Sequence, residues 1–142
     1  SYWKGRPEEW LTPFGPVTEF ELGCAGDLTS AADALLILNG CVGHQNDWTV
    51  KLAKELIAAI LNVSQGADDT CATEAIQEAR DFLCVVPIGS YPYGSLRTTA
   101  KNLTADLEDY NNGTCCAPKC PTVSGSGASF VCPPTGSGSG GN

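Results

Sequence analysis

The spacing of hydrophobic and polar positions predicts that most of the chain is helical. Residues 31–38 are almost all apolar and follow Ser30, which with Asp33 resembles a capping box at a helix start. Asn39-Gly40 is typical of a helix end, because glycine readily adopts the left-handed conformation found there. We therefore expect a short first helix over 31–38.

A second, longer helix is predicted from Trp48 to Gln65, with Asp47 as its cap and Gly66 at its end. At about 100° per residue, its apolar side chains cover more than half of its circumference. These side chains are Trp48, Leu52, Leu56, Ile57, Ile60, Leu61 and Val63. A helix this apolar packs on more than one side, so we expect it at the centre of a bundle.

Two further helices complete the predicted bundle. Asp69 or Thr70 can cap a third helix that runs to about residue 83, and a fourth follows from about 97 to 110. Residues 85–95 are expected to form a loop rich in Pro and Gly. Residues 1–28 are also interrupted by Pro and Gly, and we expect a short helical turn there from Pro7 through Trp10. The predicted fold class is all-α, a small disulfide-stapled bundle of about four helices.

Charge and composition divide the chain into two parts. All sixteen acidic residues precede position 110, and the last charge of either sign is Lys119. We expect a helical body over 1–113 and an extended C-terminal arm over 114–142, which is rich in Cys, Pro, Gly and Ser.

The cysteines predict a disulfide framework from an oxidising compartment. Eight cysteines with a single histidine favour disulfides over a zinc site. Cys71 and Cys84 would lie roughly 20 Å apart at opposite ends of the third helix, too far to pair. The remaining connectivity stays open, although adjacent Cys115 and Cys116 should take different partners. The predicted disulfide residues are Cys24, Cys41, Cys71, Cys84, Cys115, Cys116, Cys120 and Cys132.

Three Asn-x-Ser/Thr sequons, at Asn62, Asn102 and Asn112, predict N-linked glycans. Helical geometry places Asn62 on the narrow polar strip of the second helix and Asn102 off the buried stripe of the fourth. Sequons and cysteines together predict a secreted, extracellular protein. A chain that begins at Ser1 and contains no Met is expected to have lost a targeting segment.

The net charge and the hydropathy exclude two classes of partner. A formal charge of −8 repels phosphate backbones, so no nucleic-acid partner is expected. The chain has no run of about 18 apolar residues, so no membrane span is expected either.

The sequence offers little for catalysis. His44 is the single histidine that could serve as base to a Ser or Cys nucleophile, and it lies in a polar loop before a helix cap. Asp68-Asp69 is interpreted as helix-cap charge rather than as a calcium-binding pair. We therefore expect no enzyme activity, no cofactor and no metal.

The aromatic residues near the N-terminus allow two interpretations. They could form a platform on which a sugar ring stacks, or they could pack as a lid over the open end of the bundle. We favour the lid. The residues concerned are Tyr2, Trp3, Trp10 and Phe14.

Five phrases of the body are distinctive when they are taken together. They are Tyr2-Trp3-Lys4 with Pro7-Glu8 and Trp10, then Ala34-Leu35-Leu36-Ile37-Leu38-Asn39, then Leu56-Ile57-Ala58-Ala59 with Leu61-Asn62, then Val86-Pro87-Ile88-Gly89-Ser90, and finally Tyr110-Asn111-Asn112-Gly113. They resemble an extracellular helical module of large secreted bacterial proteins, which begins GYWKNHPEAW and ends YNNG.

The resemblance covers residues 1–113 and is most specific in the N-terminal phrase. This chain has Gly5-Arg6 where that module has Asn-His, and the cysteine-rich arm lies outside the likeness. The resemblance implies a secreted helical module and transfers no catalytic residues.

These features lead to one hypothesis of function and one alternative. The first is a structural subunit that polymerises into an extracellular fibril or matrix, so that its partner is a second copy of itself. The uncharged arm, with Phe130, Val131 and Cys132, suits contact with a neighbouring body by strand addition or by a disulfide through Cys132. The alternative is a monomeric secreted module that binds a glycan or a protein without catalysis.

Overall fold

A computed structural model of the chain describes residues 3–10, 15, 17–66, 72–113 and 132. The described residues form four α-helices and one short antiparallel hairpin, which confirms the predicted all-α, disulfide-stapled bundle. Their bounds are β1 Glu19–Glu21, β2 Leu28–Ser30, α1 Ala31–Leu38, α2 Trp48–Ser64, α3 Thr73–Val85 and α4 Gly94–Asn111, after a 3-10 turn over Pro7–Glu9. None of these helices is long and apolar enough to cross a bilayer.

Helix α1 begins and ends where its sequence predicts. The Ser30 hydroxyl accepts a hydrogen bond from the Asp33 amide at 3.1 Å, which caps the N-terminus. At the other end Gly40 has a φ of +77°, and the Cys41 amide donates to the Leu36 carbonyl at 2.9 Å. This glycine-based turn satisfies the last carbonyls of the helix and fixes Cys41 directly beyond it.

Helix α2 is the centre of the bundle, as predicted, because it packs against α1, α3 and α4. Leu52, Leu56 and Ile57 are completely buried along it. Burying one such side chain contributes about 1.5–3 kcal/mol, so α2 supplies a large share of the hydrophobic stabilisation.

Helices α3 and α4 differ slightly from their predicted bounds. Helix α4 begins at Gly94, about three residues earlier than expected, because Tyr93 serves as its N-cap without a side-chain hydrogen bond. The usual capping signal is therefore missing from the sequence. Helix α3 begins at Thr73, and the expected caps Asp69 and Thr70 lie outside the described residues.

The hairpin of β1 and β2 was not predicted, because two strands of three residues are too short to show an alternating pattern. Phe20 of β1 pairs with Thr29 and buries its ring edge-to-face against Trp10, with the ring centroids 5.8 Å apart. The Cys24–Cys84 disulfide then fastens the hairpin turn to the end of α3.

Candidate functional site

The starts of α2 and α4 meet at a buried carboxylate. Asp47 is only 1% exposed, and its Oδ1 accepts hydrogen bonds from the Thr49 amide at 2.8 Å and the Thr49 hydroxyl at 2.6 Å. Its Oδ2 accepts from the Tyr91 amide at 3.0 Å, and the Thr49 hydroxyl accepts from the Gly89 amide at 2.8 Å. The cap of α2 thus also holds the loop that leads into α4.

This loop presents apolar side chains to solvent. Tyr91 has a φ of +53°, a conformation that is rare for a residue with a side chain and that the Asp47 hydrogen bond helps to maintain. Its ring lies 5.8 Å from that of His44 and is 49% exposed. Tyr93 is 85% exposed, and Leu96 in the first turn of α4 is 49% exposed.

Three cations surround the half-buried indole of Trp48, beside this loop. The ring centroid lies 4.1 Å from Lys51 Nζ, 5.9 Å from Arg97 Cζ and 5.9 Å from Lys101 Nζ. Cations at these distances are attracted to the face of the ring, which keeps them together despite their mutual repulsion. We call this region the Trp48 surface; it comprises Trp48, Lys51, Tyr91, Tyr93, Leu96, Arg97 and Lys101.

The Trp48 surface carries positive charge, whereas the protein as a whole is negatively charged. It holds three of the eight Lys and Arg residues of a chain whose net charge is −8. In the described part of the chain, the ion pairs are Arg6–Glu9 and Arg80–Glu21, and neither involves a cation of this surface. Burial, followed by the charges of Lys4 and Lys51, lowers the pKa of nearby Lys54.

The composition of the Trp48 surface is typical of binding surfaces. Trp, Tyr and Arg are the residues most enriched at the energetic centres of protein interfaces. No group of three or more His, Cys, Asp or Glu residues that could hold a metal ion occurs in the described ranges. The surface can therefore pack against apolar groups and attract carboxylates.

The opposite ends of α2 and α4 are closed by buried amides. The Trp3 indole Nε1 donates to Asn62 Oδ1 at 2.8 Å, and Asn62 Nδ2 donates to Asn111 Oδ1 at 2.9 Å. Asn111 Nδ2 in turn donates to Glu55 Oε1 at 2.8 Å. Burial raises the pKa of Glu55, and the nearby negative charge of Glu108 raises it further, against the lowering effect of the Asn111 hydrogen bond.

The predicted exposure of Asn62 is therefore wrong. Its side chain is 4% exposed, and its amide nitrogen is engaged with Asn111, so the folded body leaves no room for a glycan there. The helical wheel of α2 alone could not reveal this, because the cover comes from Trp3 and from α4. Asn102 and Asn112 are both exposed, as a glycan acceptor requires.

The sugar platform proposed for the N-terminal aromatics is also wrong for the residues that the structure describes. Trp3 is 4% exposed and Trp10 is fully buried, with the Trp10 indole donating to the Trp3 carbonyl at 3.1 Å. Both rings pack into the core, as the lid interpretation predicted. Tyr2 and Phe14 lie outside the described residues.

Two disulfides connect parts of the chain that are distant in sequence. Cys24 pairs with Cys84, which agrees with the prediction that Cys84 does not pair with Cys71. Cys41 pairs with Cys132, so the arm is bonded to its own body. Outside the described residues lie Cys71, Cys115, Cys116, Cys120, Phe130 and Val131.

The prediction that Cys132 forms a disulfide with a neighbouring subunit is therefore wrong for this structure. The sulfur of Cys132 is already bonded to Cys41 within the same chain, and a bond to another copy would require exchange of this disulfide.

The described residues also line two clefts. One of about 340 Å³ lies beside the Cys24–Cys84 disulfide and includes Leu22, Ile88 and the carboxylate of Asp27 in its walls. The other, of about 220 Å³, lies between α2 and α3 and is lined mainly by Ile60, Val63 and Ile76, with Arg80 at its side.

Sequence reasoning missed the Trp48 surface, although part of the signal was present. Trp48 and Lys51 are three residues apart, and Arg97 and Lys101 are four apart, so each pair shares a helix face. Trp48 was interpreted as a core residue, and nothing in the sequence indicated that the two pairs meet.

Comparison with protein-family models, curated proteins and solved structures gave no match for this chain. The resemblance to an extracellular bacterial module stays a prediction.

Proposed function

We propose that this chain is a secreted, N-glycosylated structural protein that assembles with copies of itself into an extracellular fibril or matrix. In this proposal the C-terminal arm over 114–142 contacts a neighbouring subunit, and the helical body is the repeating unit. The protein has no catalytic role.

The observation that carries the proposal is the disulfide between Cys41 and Cys132. It bonds the arm to the end of α1, and the peptide chain also joins the arm to the end of α4. An arm that binds a neighbour would therefore transmit force to its own body through covalent bonds at two points. Disulfides persist in oxidising compartments, which supports placement outside the cell.

The surface of the body is compatible with glycosylation at two sequons. Asn102 lies on an exposed position of α4, and Asn112 follows that helix at an exposed turn. Glycans at these two residues would leave the buried amides around Asn62 undisturbed.

The test is assembly of the full chain at increasing concentration, followed by sedimentation velocity and negative-stain electron microscopy. We expect filaments or extended networks from the native protein. The Cys41→Ser/Cys132→Ser variant should keep its helical circular dichroism and assemble more weakly, because the arm is then held at one point. A native protein that stays monomeric at every concentration would refute the proposal.

The Trp48 surface favours a second candidate, a monomeric module that binds an acidic ligand. Its cations and exposed aromatics would fit a carboxylated or sulfated glycan. Titration with heparin and with polygalacturonate tests this candidate. Saturable binding by a monomer, weakened at least about tenfold in Arg97→Ala/Lys101→Ala, would favour the module over the structural subunit.

A further inference from the structure

We propose that the Trp48 surface of one copy binds the acidic C-terminal end of α4 in a second copy, so that subunits associate head to tail. This inference rests on the proposed self-assembly and adds to the contact of the arm a direct contact between the helical bodies, with a defined polarity.

The first step is the direction of the two longest helices. The start of α2 lies beside the start of α4, because Trp48 contacts Arg97 and Lys101. The end of α2 lies beside the end of α4, because Asn62 bonds to Asn111 at 2.9 Å. The two helices therefore run in the same direction, and their positive dipole ends lie at the same end of the body.

The second step is the distribution of charge along this pair. Lys51 and Arg97 lie in the first turns of α2 and α4, and Lys101 lies one turn further along α4, whereas Asp106, Glu108 and Asp109 lie within the last six residues of α4. Helix α4 has no acidic residue in its first turn and no basic residue in its last turn. Its side-chain charges thus add to the helix dipole instead of offsetting it.

This arrangement is unfavourable within one subunit. Acidic side chains stabilise helix starts and basic side chains stabilise helix ends, and α4 has the opposite order. The cap Asp47 offsets part of the dipole of α2, but it is buried and bonded to the loop. The charge order of α4 is therefore unfavourable for its own helix dipole, and contact between complementary ends of two subunits would offset that cost.

The third step identifies a second copy as the partner. The cations of the Trp48 surface form no ion pair with a described carboxylate of their own chain, and the end of α4 supplies carboxylates. The apolar area of that contact would come from Tyr91, Tyr93 and Leu96, which are exposed beside the cations. Two copies that point in the same direction leave one basic end and one acidic end unbound, so this contact propagates along an axis, whereas an antiparallel pair would stop at a dimer.

The test uses the full chain and reverses the charges at one end of the helical body at a time, either at the Trp48 surface or at the C-terminal end of α4. Arg97→Glu/Lys101→Glu makes both ends acidic, and Asp106→Lys/Glu108→Lys makes both ends basic. Each variant alone should need at least about tenfold more protein to assemble than the native chain, because like charges then meet. An equimolar mixture of the two should assemble again, with the variants alternating.

A matched control changes charge away from both ends. Glu74→Lys/Glu78→Lys alters two exposed acids of α3 and should assemble like the native protein. Circular dichroism and thermal unfolding of each variant establish that the body is folded before assembly is measured.

The outcomes separate this inference from the proposed function. If both end variants assemble like the native chain, the subunits polymerise through another surface and the inference is wrong. If each end variant fails and the mixture also fails, complementarity between the ends is refuted. A native chain that never assembles would refute the proposed function itself, and the inference with it.

Discussion

At the C-terminal ends of α2 and α4 the polar side chains bond to one another inside the protein, whereas at the N-terminal ends they hold a loop whose apolar side chains face solvent. Asn62 and Asn111 join the helix ends under the cover of Trp3. Asp47 and Thr49 are equally buried at the helix starts, but the backbone they support displays Tyr93. One end has its cover within the chain, and the other exposes apolar side chains to solvent.

The difference shows how the same chemistry can complete the core at one end and fix the shape of an exposed loop at the other. A buried polar group must be hydrogen-bonded, and both ends meet that requirement. At the closed end the partners are side chains that complete the core. At the open end they are backbone amides of Gly89 and Tyr91, and the hydrogen bonds determine the shape of a surface.

The largest effect is expected from removal of the cover at the closed end. Trp3→Ala should lower the free energy of unfolding by about 3–5 kcal/mol, because it deletes a buried aromatic ring and the hydrogen bond that its indole donates to Asn62 Oδ1. Trp3→Phe is the matched control, which keeps most of the ring and loses only the indole donor, at about 1–3 kcal/mol. Urea unfolding measures both. Equal losses for the two variants would mean that the hydrogen bond, and not the packed ring, closes this end.

A smaller loss is expected at the open end. Asp47→Ala should cost about 2–4 kcal/mol, since it removes the α2 cap and the acceptor of the Tyr91 amide. Hydrogen exchange should then accelerate at the amides of Gly89 and Tyr91, while the amides around Asn62 keep their protection. Asp47→Asn keeps one acceptor oxygen and should lose less than half as much. Uniform loss of protection across both ends would show that the two networks are not independent.

The smallest effect concerns pH at the closed end. Burial raises the pKa of Glu55, so its folded carboxyl protonates more readily than its unfolded one. Its contribution to stability is present below its ordinary pKa and is lost as the pH rises through the raised folded pKa. Glu55→Gln, which keeps an acceptor for Asn111, should raise the Tm at pH 7 and have little effect near pH 4.

The control for this charge is Glu78→Gln on the exposed side of α3. It removes the same negative charge without removing a buried carboxyl. If both variants change the Tm equally at pH 7, the effect is one of net charge and not of burial.

Local features of the fold were predictable, and features that depend on distant residues were not. The cap at Ser30 and the turn at Gly40 depend on neighbours in sequence, so the bounds of α1 were predicted correctly. The burial of Asn62 depends on Trp3, which is 59 residues away, and a helical wheel contains no information about it. The Trp48 surface combines residues of two helices, which the sequence could not place side by side.

The disulfide order has a consequence for the response of the chain to proteolysis. The disulfides Cys24–Cys84 and Cys41–Cys132 overlap in sequence, because Cys41 lies between the first two cysteines and Cys84 lies between the second two. A protease that nicks the backbone once at any peptide bond between residues 24 and 132 would leave the two pieces covalently joined. In an oxidising medium such a nicked chain would lose no fragment until a reductant or a further cut released one.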